Sequence, residues 1–250
     1  MSNIICIIPS RYTSTRFPGK PLVDIGGKTM IQRVYEQVRL ATAIHEVYIA
    51  TDDVRIFNHV ETFGGNVIMT SPNHDTGTER CLEAYQVIAA QSGKAYDVVI
   101  NVQGDEPFIV PSQIDLLAGC FSEPDVKIAT LVMPINDVAD LSNSNVVKVV
   151  VDFRGQALYF SRSAVPHVRG YDAKEWINHH KFYKHIGMYA WRSEVLPRIC
   201  SLPPSPLEKA ESLEQLRWLG NGFSILTKVT DHETVAIDTP EDLLKLTNIR

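Results

Sequence analysis

The 250-residue chain lacks the long apolar runs and paired cysteines that mark several protein classes. No apolar stretch approaches the ~20 residues of a transmembrane helix, so we expect no membrane span. The four cysteines include no C-x-x-C pair, and no charged segment followed by an apolar one opens the chain. These absences predict reduced thiols in a cytoplasmic protein.

Blocks of like charge and glycine-rich nucleotide motifs are also missing. With a net charge of −5 and no basic tail, the chain is not expected to bind nucleic acid or membrane surfaces. Neither G-x-x-x-x-G-K-[ST] nor G-x-G-x-x-G occurs, which disfavours a P-loop enzyme and a dinucleotide oxidoreductase. Any anionic ligand is therefore expected to be small and to be met by local cations.

What the sequence does contain is an alternation of β-rich runs and helical periodicity. This alternation predicts a single α/β domain over residues 1–250, with a mostly parallel, Rossmann-like central sheet and helices on both faces. The expected strands are 4–8, 46–50, 66–69, 98–102 and 127–132, and the expected helices between them are 29–40, 54–63, 78–91 and 111–121.

The alternation stops in the middle of the chain. Residues 146–160 read as two β-rich segments joined by a turn at 152–155, which is typical of a hairpin. We interpret 146–191 as a smaller β-rich insertion within the domain. The hairpin is the candidate dimer arm, because a β-rich excursion needs a partner to cover its apolar face. The core pattern returns at 206–219 and 223–229, and a last helix follows Asp238, Thr239 and Pro240.

The most informative segment is the first strand and its loop. The apolar run Ile4 to Ile8 leads into a loop with Arg11, Arg16 and Lys20. In open α/β sheets the ligand crevice lies beyond the carboxyl ends of the strands, and fixed cations there suit a triphosphate. A solvated basic turn is the plainer interpretation, but the R-x4-R-x3-K spacing around two prolines and a glycine disfavours it.

Two aspartates follow other apolar runs in the same way. Asp105 follows the run ending at Val102, and Asp238 follows the run before the last helix. Mg²⁺ takes oxygen ligands and needs only one or two protein carboxylates when phosphates supply the rest. Each aspartate alone could equally cap a helix, but together with the basic loop they favour a nucleotide and a metal.

The ordered motifs resemble those of one enzyme family. IIPSRYTSTRFPGKPL, HDTGTER, NVQGDEP, ALYFSR, HIGMY, SPLEKAESLEQLR and IDTPEDL occur in the order typical of 3-deoxy-manno-octulosonate (Kdo) cytidylyltransferases, the CMP-Kdo synthetases, and span nearly the whole chain. The resemblance implies a homodimeric nucleotidyltransferase that forms CMP-Kdo and pyrophosphate from CTP and Kdo, with Mg²⁺, for lipopolysaccharide biosynthesis.

The resemblance also implies residue roles. Arg11, Ser14, Arg16 and Lys20 would hold the CTP phosphates, and Asp105 and Asp238 would bind Mg²⁺, with Arg11, Lys20 and the two aspartates catalytic. The remaining nucleotide contacts would be Thr76, Gly77 and Arg80. The sugar-acid contacts would be Gln103, Arg162, Arg169, His185, Glu214 and Gln215, which would make the insertion 146–191 a sugar-binding and dimer-arm region.

Several alternatives stay open on the sequence. The acceptor could be 8-amino-Kdo or a nonulosonic acid, because the His- and aromatic-rich segment 167–185 departs from the family pattern. A glycosyltransferase would use Thr51-Asp52-Asp53 as its metal motif, although this segment more readily caps the following helix. A nucleotide-sensing module would need neither Asp105 nor Asp238. The histidines of 167–185 lack the spaced partners of a transition-metal site.

Overall fold

The computed structural model describes residues 2–13, 17–233, 237 and 239–247, with side chains to 243. The chain forms a nine-stranded mixed sheet with helices on both faces. The strands are β1 (Ile4–Ser10), β2 (Glu46–Thr51), β3 (Val67–Met69), β4 (Val98–Asn101), β5 (Ile128–Pro134), β6 (Lys148–Val151), β7 (Ala157–Ser161), β8 (Tyr183–Arg192) and β9 (Ile225–Val229).

Ten α-helices connect these strands within the described part of the chain. They are α1 (Met30–Val38), α2 (Val54–Thr62), α3 (Gly77–Ser92), α4 (Pro111–Gly119), α5 (Val138–Ser142), α6 (Trp176–His179), α7 (Leu196–Cys200), α8 (Pro206–Glu211), α9 (Gln215–Gly220) and α10 (Pro240–Thr247). None of these helices combines the length and apolarity needed to cross a bilayer.

The predicted mixed α/β fold with a mostly parallel sheet is confirmed. The sheet order is β3-β2-β1-β4-β8-β5-β9, in which β8 runs antiparallel to both of its neighbours. The β3-β2-β1-β4 segment is parallel throughout. Its carboxyl ends therefore meet at one edge of the sheet, where the crevice was expected.

β1 shows why the strand pattern was readable. Ile4, Cys6 and Ile8 face one core cluster, whereas Ile5 and Ile7 face the other. All five residues are buried because helices cover both faces of the sheet. A strand buried on both faces is a continuous apolar run rather than an alternating one.

The middle of the chain is more closely joined to the sheet than expected. The predicted hairpin is present as β6 and β7, with Gly155 at φ 80° in its turn, and β6 also pairs with β8. The inner side chains of the hairpin, Val149 and Phe160, belong to the same core cluster as Ile5 and Ile7. Most of the apolar face of the hairpin is thus covered within the chain, and the exposed remainder is Phe153 and Leu158.

The segment 206–219, where the core pattern was expected to return, forms two short helices. Ser205 begins α8 with a capping box, and Ser212 takes the left-handed conformation with φ 53° before α9. Serine at a positive φ is uncommon, so the residue types gave no signal for this break. The break turns the chain so that Glu214 and Gln215 stand at the start of α9.

Candidate active site

The basic loop and the predicted metal ligand meet at the carboxyl edge of the sheet. Lys20 Nζ lies 2.8 Å from Asp105 Oδ2, and both side chains are largely shielded from solvent. Gly104, next to Asp105, lets the loop after β4 approach β1 closely, since a Cβ at Gly104 would lie 3.0 Å from the Pro9 carbonyl. The loops after β1 and β4 therefore form one site, as predicted.

Gly19 fixes the direction in which Lys20 leaves the loop. It has φ 73°, a conformation that favours glycine, and its N–H donates to the Tyr12 carbonyl at 3.0 Å. Lys20 then begins a single 3-10 turn with Pro21. Arg11 is exposed just after β1, whereas Ser14 and Arg16 lie outside the described residues.

Asp105 does not serve as a helix cap, and Thr239 supplies the cap of α10. Helix α4 begins after Val110 without any side-chain cap, so Asp105 does not cap it. At α10, the Thr239 hydroxyl accepts the Asp242 N–H at 3.3 Å and so supplies the cap. Asp238 lies outside the described residues, but its chain neighbour Ile237 donates its N–H to the Asp105 carbonyl at 3.0 Å.

The donors present at this edge fit a Mg²⁺ ion. The Asp105 carboxylate is a hard oxygen ligand, and Mg²⁺ is commonly bound by one or two carboxylates together with substrate phosphates. No group of three or more His, Cys, Asp or Glu side chains within the described ranges is arranged to hold a metal. The chemistry of this edge thus matches a metal shared with a phosphate better than a closed protein cage.

Helix α3 presents its amino end to the same edge. Thr76 caps it in a reciprocal capping box with Glu79, and a Cβ on Gly77 would lie 3.4 Å from the Pro9 side chain. The amino end of a helix favours anions because its first N–H groups have no partner within the helix. Thr76 and Gly77 therefore lie at a helix end of a kind that can bind an anion, and their nucleotide contacts stay a prediction.

Arg80 has a different environment from the one expected. It is only 1% exposed, and its guanidinium donates to Thr70 Oγ1 at 2.6 Å and to Asp52 Oδ2 at 2.8 Å. The side chain ties α3 to the segments that follow β2 and β3, which gives Arg80 a positioning role in the structure. Its predicted nucleotide contact stays a prediction, which would depend on the guanidinium N–H groups that these two bonds do not use.

The two aspartates after β2 are both engaged. Asp52 pairs with Arg80, and Asp53 caps α2 by accepting the Arg55 N–H at 2.9 Å. The capping interpretation of this segment is therefore confirmed, and the metal motif that a glycosyltransferase would require has no support here.

The predicted sugar contacts lie on several segments: Gln103 follows β4, Arg162 follows β7, His185 lies on β8, and Glu214 and Gln215 lie at the start of α9. Gln103 Nε2 donates to the Gly187 carbonyl at 3.3 Å, which joins the Asp105 loop to β8. Gln215 is buried at the start of α9. Arg169 is exposed, and no contact in the described residues ties it to this group.

Arg162 is held by the backbone around α8. Its guanidinium donates to the carbonyls of Glu211 at 2.7 Å, Ser144 at 3.1 Å and Ser212 at 3.4 Å. These bonds use three of the five N–H groups of an arginine. The contact of Arg162 with the sugar carboxylate stays a prediction. It would have to be made by the two remaining N–H groups.

His185 is kept neutral by its surroundings. Burial lowers its pKa to about 3, and the rings of Phe160 and Tyr189 flank it. Thr130 Oγ1 lies 2.9 Å from His185 Nε2 and also 2.7 Å from the Met188 carbonyl. Because the single hydroxyl proton goes to that carbonyl, Nε2 must donate to Thr130, which leaves Nδ1 as an acceptor.

The histidines of 167–185 contact aromatic rings. His167 packs edge-on against Trp176, His179 stacks on Tyr171, and His180 meets Phe182 edge-on. With Ile135 and Leu141, Trp176 and Phe182 form a small separate core. This packing accounts for the His- and aromatic-rich composition of the segment.

Three residues of the site gave little signal in the sequence. Thr78 contacts Glu214, Thr130 holds His185, and Glu211 accepts from the Arg162 N–H. All three depend on contacts between distant segments. Threonine and glutamate are common at helix starts and on strands, so residue type and spacing alone could not single them out.

Comparisons with known proteins place these features in one family. Residues 5–228 match the family described as cytidylyltransferase. A 3-deoxy-manno-octulosonate cytidylyltransferase of Cytophaga hutchinsonii is 57% identical over 247 residues, covering 98% of this chain and 97% of the relative. A solved structure of CMP:2-keto-3-deoxy-manno-octonic acid synthetase complexed with CTP superimposes with a TM-score of 0.89 at 42% identity, covering 99% and 98% of the two chains.

A more distant likeness concerns the fold alone. The structure of 4-diphosphocytidyl-2C-methyl-D-erythritol synthase from Anaerococcus prevotii has a TM-score of 0.62 at 14% identity, and the match covers 99% of this chain and 96% of that one. Similar architecture at such low identity shows that the fold is shared more widely than any one sequence pattern.

Proposed function

The chain belongs to the family of 3-deoxy-manno-octulosonate cytidylyltransferases, and from this premise we propose that it transfers CMP from CTP to the anomeric 2-hydroxyl of Kdo, releasing pyrophosphate. The observation that carries the proposal is the contact between Lys20 and Asp105. It joins the two motifs that bear the cation and the carboxylate expected of a nucleotidyltransferase. The names of the relatives favour Kdo over 8-amino-Kdo or a nonulosonic acid as acceptor.

The reaction brings two anions together. The anomeric hydroxyl of the sugar acid attacks the α-phosphate in line, and pyrophosphate leaves on the opposite side. Lys20 and Arg11 would offset the charge of the triphosphate, and the amino end of α3 would add the Gly77 N–H as a donor. Lys20 is already oriented for this task by Asp105 and the turn at Gly19.

Asp105 and Asp238 are the residues that would hold Mg²⁺. A bound Mg²⁺ supplies positive charge next to phosphate oxygens and lowers the pKa of a coordinated hydroxyl group. The backbone hydrogen bond from the Ile237 N–H to the Asp105 carbonyl keeps the loop after β4 next to the segment before α10.

The sugar acid would be bound mainly by polar side chains on β8 and at the start of α9. Neutral His185 offers Nδ1 to a sugar hydroxyl, and its pKa of about 3 keeps this acceptor available across the working pH range. Gln103, Glu214 and Gln215 would contact further hydroxyls, and Arg162 would meet the carboxylate. Arg169 is exposed, and its predicted contact with the sugar rests on the family resemblance alone.

Pyrophosphate release is the direct test. Purified protein with Mg²⁺ is assayed against each of the four NTPs and against Kdo, 8-amino-Kdo and N-acetylneuraminate. We expect release with CTP and Kdo and little with the other pairs. Release with another acid would keep the chemistry and reassign the acceptor, whereas no release with any pair would contradict the proposal.

We propose in addition that the enzyme is a cytoplasmic homodimer serving lipopolysaccharide biosynthesis. Its four cysteines are free thiols, in keeping with a reducing compartment. On the hairpin, Phe153 is fully exposed and Leu158 is 59% exposed, and a partner would cover these side chains. Buried aromatic residues frequently dominate the affinity of such contacts.

Phe153→Asp is expected to weaken the proposed dimer. Loss of an aromatic anchor costs at least about 2 kcal/mol, which corresponds to about a 30-fold rise in the dimer dissociation constant. Sedimentation velocity over a concentration series measures this shift. Leu40→Asp, at a 65%-exposed position beyond α1, is the matched control and should leave the constant unchanged. Wild-type protein that stays monomeric throughout would exclude the arrangement.

A further inference from the structure

One hydrogen bond links the two halves of the candidate site. Thr78 lies in the first turn of α3 and is 3% exposed. Its hydroxyl donates to Glu214 Oε2 at 2.6 Å, across 136 positions of the chain. Thr78 directly follows the predicted nucleotide contacts Thr76 and Gly77, whereas Glu214 is a predicted sugar contact. The bond therefore runs between the nucleotide-binding helix end and the sugar pocket.

Glu214 depends on this contact because it lacks a cation partner. Among the described residues it forms no salt bridge, and the nearby Arg217 is engaged by Glu208 at 2.6 and 2.8 Å and by the Leu202 carbonyl at 3.0 Å. Burial raises the pKa of Glu214, and the hydroxyls of Thr78 and Thr76 act in the opposite direction. The two threonines thus supply the polar contacts that a partly buried carboxylate requires.

The Thr78 hydroxyl has no other task in its helix. The start of α3 is already capped by Thr76 and Glu79, each bonded to the backbone of the other. The only hydrogen bond of the Thr78 hydroxyl within the described residues is the one to Glu214. Because threonine is branched at Cβ, its side chain is stiff about χ1 and fixes the direction of the hydroxyl.

We propose that Thr78 is a positioning residue for sugar-acid binding, which sets the Glu214 carboxylate relative to the nucleotide-binding end of α3. This inference rests on the proposed function. Glu214 would contact the sugar while held by Thr78, so the acceptor and the nucleotide are placed by the same helix end. Without the hydroxyl, the carboxylate can turn away from the geometry that the sugar needs.

The test compares the effect of a Thr78 substitution on the KM for the sugar acid with its effect on the KM for CTP. In Thr78→Val, we expect the KM for the sugar acid to rise about tenfold, as for the loss of one hydrogen bond to a charged group. The KM for CTP should change less than about twofold, because the capping box and Gly77 are untouched. Thr78→Ser keeps the hydroxyl and should restore the KM for the sugar acid. Thr78→Ala also removes the hydroxyl and should raise the KM for the sugar acid in the same way, so it replaces Thr78→Val if that variant does not fold.

Glu214→Gln and Thr227→Val complete the design. In the Glu214→Gln background, adding Thr78→Val should raise the KM for the sugar acid no further, because the two residues act through one contact. Thr227 is 5% exposed, and its hydroxyl donates to the Gly155 carbonyl at 2.8 Å, away from the site. Thr227→Val is therefore the matched control and should leave both KM values unchanged.

The failure of this inference is distinct from failure of the proposed function. An active wild-type enzyme whose Thr78→Val variant keeps the wild-type KM for the sugar acid would overturn the role of Thr78 alone. Equal rises in the KM values of both substrates would overturn it as well. If the wild-type enzyme uses an acid other than Kdo, the same comparison is made with that acid. Wild-type protein inactive with every acid would overturn both.

Discussion

Asp105→Asn lowers the rate of pyrophosphate release from CTP and Kdo by about 10³-fold or more, as expected for the loss of a central electrostatic group in an active site. Asparagine keeps the size of the side chain and removes the charge that pairs with Lys20 at 2.8 Å and that would bind Mg²⁺. Because Asp105 lies at a partly open edge, the free energy of unfolding should fall by no more than about 1 kcal/mol.

Asp97→Asn is the matched control for this experiment. Asp97 immediately precedes β4, at the opposite end of the strand from Asp105, and accepts the Asn3 N–H at 2.6 Å. Its variant should keep wild-type turnover. Pyrophosphate release is measured over a series of Mg²⁺ concentrations, with thermal unfolding recorded in parallel. Wild-type turnover of Asp105→Asn at saturating Mg²⁺ would reject the assignment of Asp105 as a metal ligand.

Arg80→Met has the largest expected effect on stability. Arg80 and Asp52 form a buried pair, with side chains 1% and 10% exposed. Removing the arginine leaves the Asp52 carboxylate and the Thr70 hydroxyl without their donors, which costs about 3–5 kcal/mol in comparable buried pairs. At about 2–4 °C per kcal/mol for a chain of this size, Tm should fall by roughly 10 °C.

Two further variants test whether the unpaired charge causes this loss. Asp52→Asn combined with Arg80→Met removes both charges and should recover a large part of the lost Tm. Arg55→Met removes an exposed arginine that pairs with Asp53, and exposed pairs contribute little to stability. Tm is measured by differential scanning calorimetry. A Tm of Arg80→Met equal to that of Arg55→Met would contradict the positioning role of Arg80.

Much of the fold was predictable because burial on two faces leaves a local pattern. The run Ile4–Ile8 predicted β1 because helices cover both sides of the sheet and every position is apolar. The turn at 152–155 predicted the hairpin for an equally local reason, since Gly155 supplies the positive φ of the turn. The break at Ser212 between α8 and α9 left no such local signal, since serine seldom takes a positive φ.

For the candidate site, residue types were predictable and partners were not. The loop after β1 and the position of Asp105 at the end of β4 follow from strand ends meeting at one edge of a parallel sheet. The environment of Arg80 did not follow. A short motif cannot show whether an arginine on a helix points toward a crevice or toward an aspartate of another loop.

The sequence by itself determined the alternation of strands and helices, the family and the chemical character of each loop, because these depend on local periodicity and ordered motifs. Only the tertiary structure decided which charges meet. It paired Lys20 with Asp105, enclosed Arg80 with Asp52 and bonded Thr78 to Glu214. Such pairs join segments distant along the chain, and side-chain direction and burial settle them once the sheet and its helices have packed.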